Sequence, residues 1–400
     1  MEIASKLSEV ISMNFPGLEG EWRSLRIPIC VIPKKFVATG ETFDDIMEII
    51  VWCLQHMAIG LWPKSRHDKK AWQPGDEVRK RKAGEPLKIH GALVEVRGDW
   101  VMMKETFHMP GHNEKAGCCW LCKATPDNFR DASSTAPWRE QRLSHWELLE
   151  RIIGLGHDLS PLLSAPGLKA HCFKIDWLHA VDIGVAADFL GNLFWVLVQK
   201  MEGSNSKARI KALFALIKTF YEENDVQERL PTLTANMIKK KKAPPKLRAK
   251  AAEARALIPF AKSICERLLD DGDVVEHSIK QMSRHLASLY STLSGATIFR
   301  QDLMAMHCQK FCMLYTGLEE RHRDSKHHLF RIKPKFHLME ELCEMTDGAA
   351  PSLSWCYRDE DFGGSVAAMA HRRGGKCSVH GVSPNFLKKW AGKFDVPAIL

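Results

Sequence analysis

Apolar residues recur at helical spacing over most of this chain and at strand spacing over little of it. Phe43 to Leu61 (FDDIMEIIVWCLQHMAIGL) has apolar positions three and four apart and acidic residues in its first turn, which predicts a helix. From Ser144 onward the same period predicts helices at about Ser144–Gly154, Trp177–Met201, Lys207–Glu222, Ala249–Leu269, Val275–Ser294, Gln301–Glu319 and Pro334–Met345, with a short one near Asn385–Trp390. Two stretches read as strands. Arg26 to Pro33 (RIPICVIP) is β-branched and proline-bounded. Leu87 to Val96 (LKIHGALVEV) alternates and runs into Arg97-Gly98-Asp99-Trp100, which predicts a strand ending on an aspartate. Pro63 to Pro86, polar, basic and rich in glycine and proline, predicts a surface loop, and no internal repeat is present.

Composition narrows this picture. Four hundred residues with 45% hydrophobic content can bury a substantial core, in one large or two medium domains. Lys+Arg 57 against Asp+Glu 48 leaves a net charge of +9, an excess that suits a polyanion such as DNA and is also common in proteins that bind none. Met1 to Val10 has no basic segment followed by an apolar one, so no secretory signal is expected. The most apolar stretch, Trp177 to Val198, is broken by His179, Asp182 and Asp188, which predicts a core helix rather than a membrane span. Twelve cysteines without a signal are expected to be reduced, with metal binding the foremost use of a tight pair. The expectation is a soluble, intracellular chain.

Five places could carry chemistry. Asp99 follows Gly98 at the end of a predicted strand, where a carboxylate can point into a cleft; an ordinary turn explains it equally. Cys119-x-x-Cys122, with Cys118 beside it, has the spacing of two zinc ligands, and His108, His112, His171 and Cys172 are candidates to complete the set. Free buried cysteines are the alternative. Asp176-Trp177-Leu178-His179 opens the apolar helix, where Asp176 can cap backbone N–H groups and His179 falls one turn along. Trp355-Cys356-Tyr357-Arg358-Asp359-Glu360-Asp361-Phe362 sets three carboxylates among aromatic residues. Lys239-Lys240-Lys241-Lys242, ahead of Ala243-Pro244-Pro245-Lys246, is a basic run that is either a solvated loop or a salt-sensitive contact to a phosphate backbone.

The order of these motifs, followed by Pro334-Lys335-Phe336-His337, resembles the CACTA-type transposases. Gly98-Asp99-Trp100 is similar to the family's Gly-Asp-[Leu/Phe]-Pro, which carries its second catalytic aspartate, and Gly117-Cys118-Cys119-Trp120-Leu121-Cys122 to its Ala-Cys-Pro-x-Cys. Asp176-Trp177-Leu178-His179 resembles Asp-x-Met-His. The segment Trp355–Phe362 aligns without gaps on Trp-Met-Tyr-Pro-Phe-Glu-Arg-Tyr, which places the third catalytic acid on Glu360. The resemblance spans roughly Arg26 to Phe362. It implies an α/β fold: an incomplete RNase H-like core of few strands, interrupted by a large all-helical insertion. On this reading residues 1–135 hold the N-terminal part of the core with Asp99 and the cysteine loop, 136–330 the insertion, and 331–400 the return to the core with Glu360.

The resemblance also implies DNA as partner, self-association, nuclear location without a membrane, and Mg²⁺ or Mn²⁺ held by Asp99 and Glu360. Two-metal phosphodiester cleavage and joining would follow, with Asp176 and His179 buttressing the site. Zinc would sit at Cys119 and Cys122, and Lys239–Lys242 would contact the DNA backbone. Two positions depart from the family. The proline after Trp100 is absent, and Met1 to Ile27, where the first catalytic aspartate would lie, contains no aspartate; Glu19 and Glu21 are the acids nearest to Arg26–Pro33. The expectation is therefore a transposase-derived domain, shortened at its N-terminus, with impaired catalysis. The alternatives are a non-catalytic, zinc-stabilised DNA- or protein-binding module, or a helical scaffold of unrelated origin.

Overall fold

A computed structural model describes residues 8–14, 26–38, 40–115, 117–294, 299–324, 326–344, 348–374 and 379–393. Glu19 and Glu21 lie outside them. Two strands pair: β1 (Ser8–Asn14) runs antiparallel to β2 (Arg26–Pro33), with Val10 opposite Val31 and a bulge between Ile11 and Ser12. The predicted strand at Arg26–Pro33 thus forms with those bounds. Its partner β1 carries one acid, Glu9, opposite Ile32.

The rest is mainly helical. Helix α1 (Glu41–Ile59) ends on Gly60, whose φ of +69° is the left-handed conformation that glycine tolerates at a helix C-terminus. Then come α2 (Glu77–Lys82), α3 (Trp100–Phe107) and α4 (His145–Gly154). Ser144 caps α4 in a reciprocal box with Glu147, satisfying two backbone donors. Helix α5 runs Leu178–Lys200, and α6 (Ser206–Glu223) and the single turn α7 (Ala235–Ile238) follow. The stretch expected as one helix at Ala249–Leu269 divides into α8 (Ala251–Ala256) and α9 (Ile258–Leu268), because Pro259 cannot donate the backbone bond that continuity needs. The long helices α10 (Val274–Ser294) and α11 (Gln301–Arg321) pack on each other, and α11 also packs against α12 (Pro334–Glu344); α13 (Tyr357–Gly374) and α14 (Val379–Lys393) follow.

Two expectations change. Leu87–Val96 is not a strand: only Val96 pairs, in one parallel bridge to Phe173 made by Val96 N to Cys172 O (2.8 Å) and Lys174 N to Val96 O (2.9 Å). Its alternation has no second sheet face to bury, and Ile89 and Val94 remain more than half exposed. Pro63–Pro86, expected as loop, contains α2. The sheet among the described residues is the antiparallel β1–β2 pair, so the structure shows a mostly helical fold with few strands, which fits a large helical insertion.

One hydrophobic core runs from Met47 to Cys343, continuous across residues 135 and 330. A second, smaller cluster of Val31, Phe362, Val366, Phe386 and Trp390 joins the N-terminal hairpin to α13 and α14. Helix α5 is the centre of the large core. It is long and apolar enough to cross a membrane, but 83% of its most apolar window is buried within the protein, as a core helix should be. Its first two turns, Leu178–Ala186, are π-helical, and Gly184 (φ −102°, ψ −105°) breaks the ladder there.

Candidate metal centre and the acidic cluster around His179

The loop after α3 brings Cys119 and Cys122 against α12, where His337 and Glu341 stand four residues apart on one helical face. All four side chains are buried, and their ligand atoms lie within 4.8 Å of one another. Cys122 Sγ is 3.3 Å from His337 Nε2, which is 3.5 Å from Glu341 Oε1, and Cys119 Sγ is 3.8 Å from the same oxygen. Bonds of roughly 2.3 Å to sulfur and 2.0–2.2 Å to nitrogen or oxygen put the edges of a tetrahedral site at about 3.3–3.8 Å. Three of the six separations therefore already match the edges of such a site, and the four groups could hold a metal such as zinc.

The surroundings suit anionic sulfur. Leu121 N donates to Cys119 Sγ (3.3 Å) and Ala124 N to Cys122 Sγ (3.4 Å), while Arg151 Nη1 donates to the carbonyls of both cysteines (2.7 and 3.1 Å). Burial opposes ionisation of Cys119, but hydrogen bonding with Cys122 and with His337 outweighs it and brings this thiol down to about 6. Cys122 is pushed up, first by its bond to Cys119 and then by burial, so the pair gives up one proton easily and holds the second. Arg142 Nη1 donates to Glu341 Oε1 at 2.8 Å, offsetting carboxylate charge that two thiolates and a dication would leave uncompensated. The Nδ1 of His337 has no hydrogen-bond partner among the described residues; its ring is fixed instead by edge contact with Trp138, 4.5 Å between centroids.

Cys119 and Cys122 are thus where sequence placed a metal, but the partners differ from those expected. His108 Nδ1 is bonded to Asp158 O (2.6 Å), His112 packs on Trp100, and Cys172 is held by the bridge to Val96. None joins the cluster, whereas His337 and Glu341 do. The signal for them was present, in a histidine and a carboxylate four apart on a predicted helix, but their distance along the chain hid it.

The second constellation gathers Asp99, Asp176, His179 and Glu360. Asp99 is not at a strand end: it is the N-cap of α3, its Oδ1 accepting from Met102 N at 2.7 Å. Asp176 is buried and accepts from Leu178 N (3.2 Å), His179 N (3.1 Å), His179 Nδ1 (2.5 Å) and Cys356 N (2.8 Å). The cap of α5 therefore also anchors the start of α13. That anchor carries Glu360 to His179, with Oε1 3.2 Å from Nε2. Asp99 is close enough to raise the affinity of both His179 and Glu360 for protons. Burial works against a charged His179, but the bond to Asp176 and the fields of Asp176, Glu360 and Asp99 overcome it, so its pKa is raised. Burial raises Glu360 as well, with His179 pulling the other way.

Asp99 and Glu360, 261 positions apart in sequence, thus share one electrostatic neighbourhood around His179. Among the described residues, however, only the cysteine cluster brings three or more ligand atoms within 4.8 Å. In this site an amide occupies Asp99 Oδ1 and His179 occupies Glu360 Oε1, one oxygen of each carboxylate. It is an ion-pair network centred on an imidazole.

Lysines 240–242 are exposed at the turn after α7, and Lys239 is tied down, donating to Ala243 O at 2.7 Å. Lys335, one of the Pro334–His337 residues, donates to His179 O at 2.6 Å. Comparison of the chain with protein-family models matches none, and comparison with curated proteins finds no similar sequence.

Proposed function

We propose that this chain is a zinc-stabilised DNA-binding domain of transposase descent, in which the old two-metal site has become a closed ion-pair network. The observation that carries the reading is that Asp176, His179 and Glu360 are bonded together within the field of Asp99, four residues drawn from three separate motifs in the order the CACTA-type resemblance requires. A solvated acid or an ordinary turn at any one of these positions would not bring the others to it. Impairment follows from the same geometry: carboxylates already bonded to an imidazole and an amide leave the charge of two dications under-compensated. Zinc at Cys119, Cys122, His337 and Glu341 holds the loop and α12 together.

The test is plasmid nicking in Mg²⁺ or Mn²⁺ alongside binding of a labelled duplex. Wild type is expected to bind the duplex and to nick no faster than the Asp99→Asn, Glu360→Gln double variant. Metal-dependent nicking that the double variant loses would overturn the impairment and restore an active nuclease. A chain that binds no duplex would overturn the reading itself.

A further inference from the structure

One groove has a cationic lining drawn from three distant parts of the chain: Arg130 from the loop after the cysteines, Lys246 and Arg248 from the segment after α7, and Arg331 and Lys333 from the approach to α12. Among the described residues no acidic side chain lines it. We infer that this groove, rather than the Lys239–Lys242 run, is the surface on which the phosphate backbone of DNA lies. The inference rests on the proposed function for the identity of the polyanion; the siting rests on the groove alone.

The charge distribution is the first argument. Lys333 Nζ is 2.6 Å from Asp188 Oδ1 and Lys246 Nζ 3.9 Å from the same oxygen, so one buried carboxylate serves both ammonium groups and faces Lys335 as well. Arg130 and Arg331 are exposed and form no ion pair among the described residues. Such a surplus of one sign on a shared wall repels itself until an anion arrives. Continuity is the second argument. Lys335, next in the chain to Pro334 of the groove wall and in the field of Lys246 and Lys333, donates to the His179 carbonyl and feels Asp99, which links the basic groove to the acidic network.

By contrast, the lysine run is a solvated turn with its first side chain folded back on its own backbone. The experiment is fluorescence anisotropy of a labelled duplex over a salt series, with Arg130→Glu/Arg331→Glu compared with Lys240→Glu/Lys241→Glu. All four side chains are exposed, and circular dichroism and zinc content verify the fold. The groove pair is expected to weaken binding about tenfold or more and to flatten the log–log salt slope by about 2, one for each lost phosphate contact, with a smaller effect from the run. Equal affinity and slope in wild type and the groove pair overturn the siting, and a larger loss from the run pair assigns the backbone to the run. Both outcomes leave the proposed function standing, which absence of duplex binding by wild type would not.

Discussion

Asp182 shows what a single residue contributes to this fold and what it demands. It is fully buried in the π-helical opening of α5 and accepts hydrogen bonds from the hydroxyls of Tyr290, on α10, and Tyr357, at the start of α13 (2.7 Å for the latter). One carboxylate thereby ties three helices at the base of the His179 network. Burial raises its pKa to about 6, against the pull of the two tyrosines and Arg255. A group whose folded pKa lies above its unfolded value lends stability that is complete at low pH and is lost as pH rises through the folded pKa. The window here runs from about 4 to about 6. Asp182→Asn keeps an acceptor for one tyrosine without the buried charge. Thermal melts of wild type and variant should therefore diverge with pH, with wild type losing up to about 3 kcal/mol relative to Asn between pH 4 and 7. A constant difference across that range would show that Asp182 does not titrate in the folded protein.

At the scale of elements, α5 decides where the groove and the networks can stand. The break at Gly184 leaves room for Lys335: a Cβ there would lie 2.9 Å from Lys335 Cδ and 3.0 Å from His179 O. About two turns later, Gly191 lets the backbone of Lys246 and Leu247 lie directly on the helix, where Leu247 N donates to Ala187 O at 2.8 Å. A Cβ at Gly191 would meet Lys246 Cα at 2.3 Å, and backbone cannot rotate out of the way as a side chain can. Gly191→Ala is therefore expected to destabilise the protein by about 1–3 kcal/mol in urea denaturation, although alanine is the better helix former by up to about 1 kcal/mol. A variant as stable as wild type would mean that the Lys246 segment does not rest on α5.

Much of this element scale was legible. The helical period gives α1, α4, α5, α6, α10, α11 and α12 within a few residues, and Arg26–Pro33 is a strand with the predicted bounds. What the period could not give was context. Leu87–Val96 alternates but finds no sheet, and α13 was obscured by Gly363 and Gly364, which a helix docked by Phe362 and Val366 tolerates. Asp99 was singled out as a strand end and stands as a helix cap, which changes its backbone while keeping it beside Glu360. His337 and Glu341 escaped because ligand sets form in space, over 200 residues from their thiols.

For the whole molecule, that separation gives the metal cluster its weight. A bond from Cys122 to His337 closes a loop of 215 residues containing most of the helices, so it constrains the unfolded chain much as a long-range disulfide does. The entropy of closing a loop of this length is worth about 5 kcal/mol, and the buried thiols and carboxylate add the penalty of standing unpaired once a ligand is removed. The purified protein is expected to carry one zinc per chain. Cys122→Ser and His337→Ala should each lose it and lower Tm by about 5–10 °C, as should prolonged chelation of wild type. Chelation should leave the Tm of either variant unchanged, because the metal is already gone. A wild-type protein that holds no zinc, or whose Tm is indifferent to chelation while both variants melt early, would reduce the four residues to a packed polar cluster. The loop and α12 would then be joined by the ion pairs of Arg142 with Glu341 and of Arg139 with Glu340 and Glu344, together with core contacts.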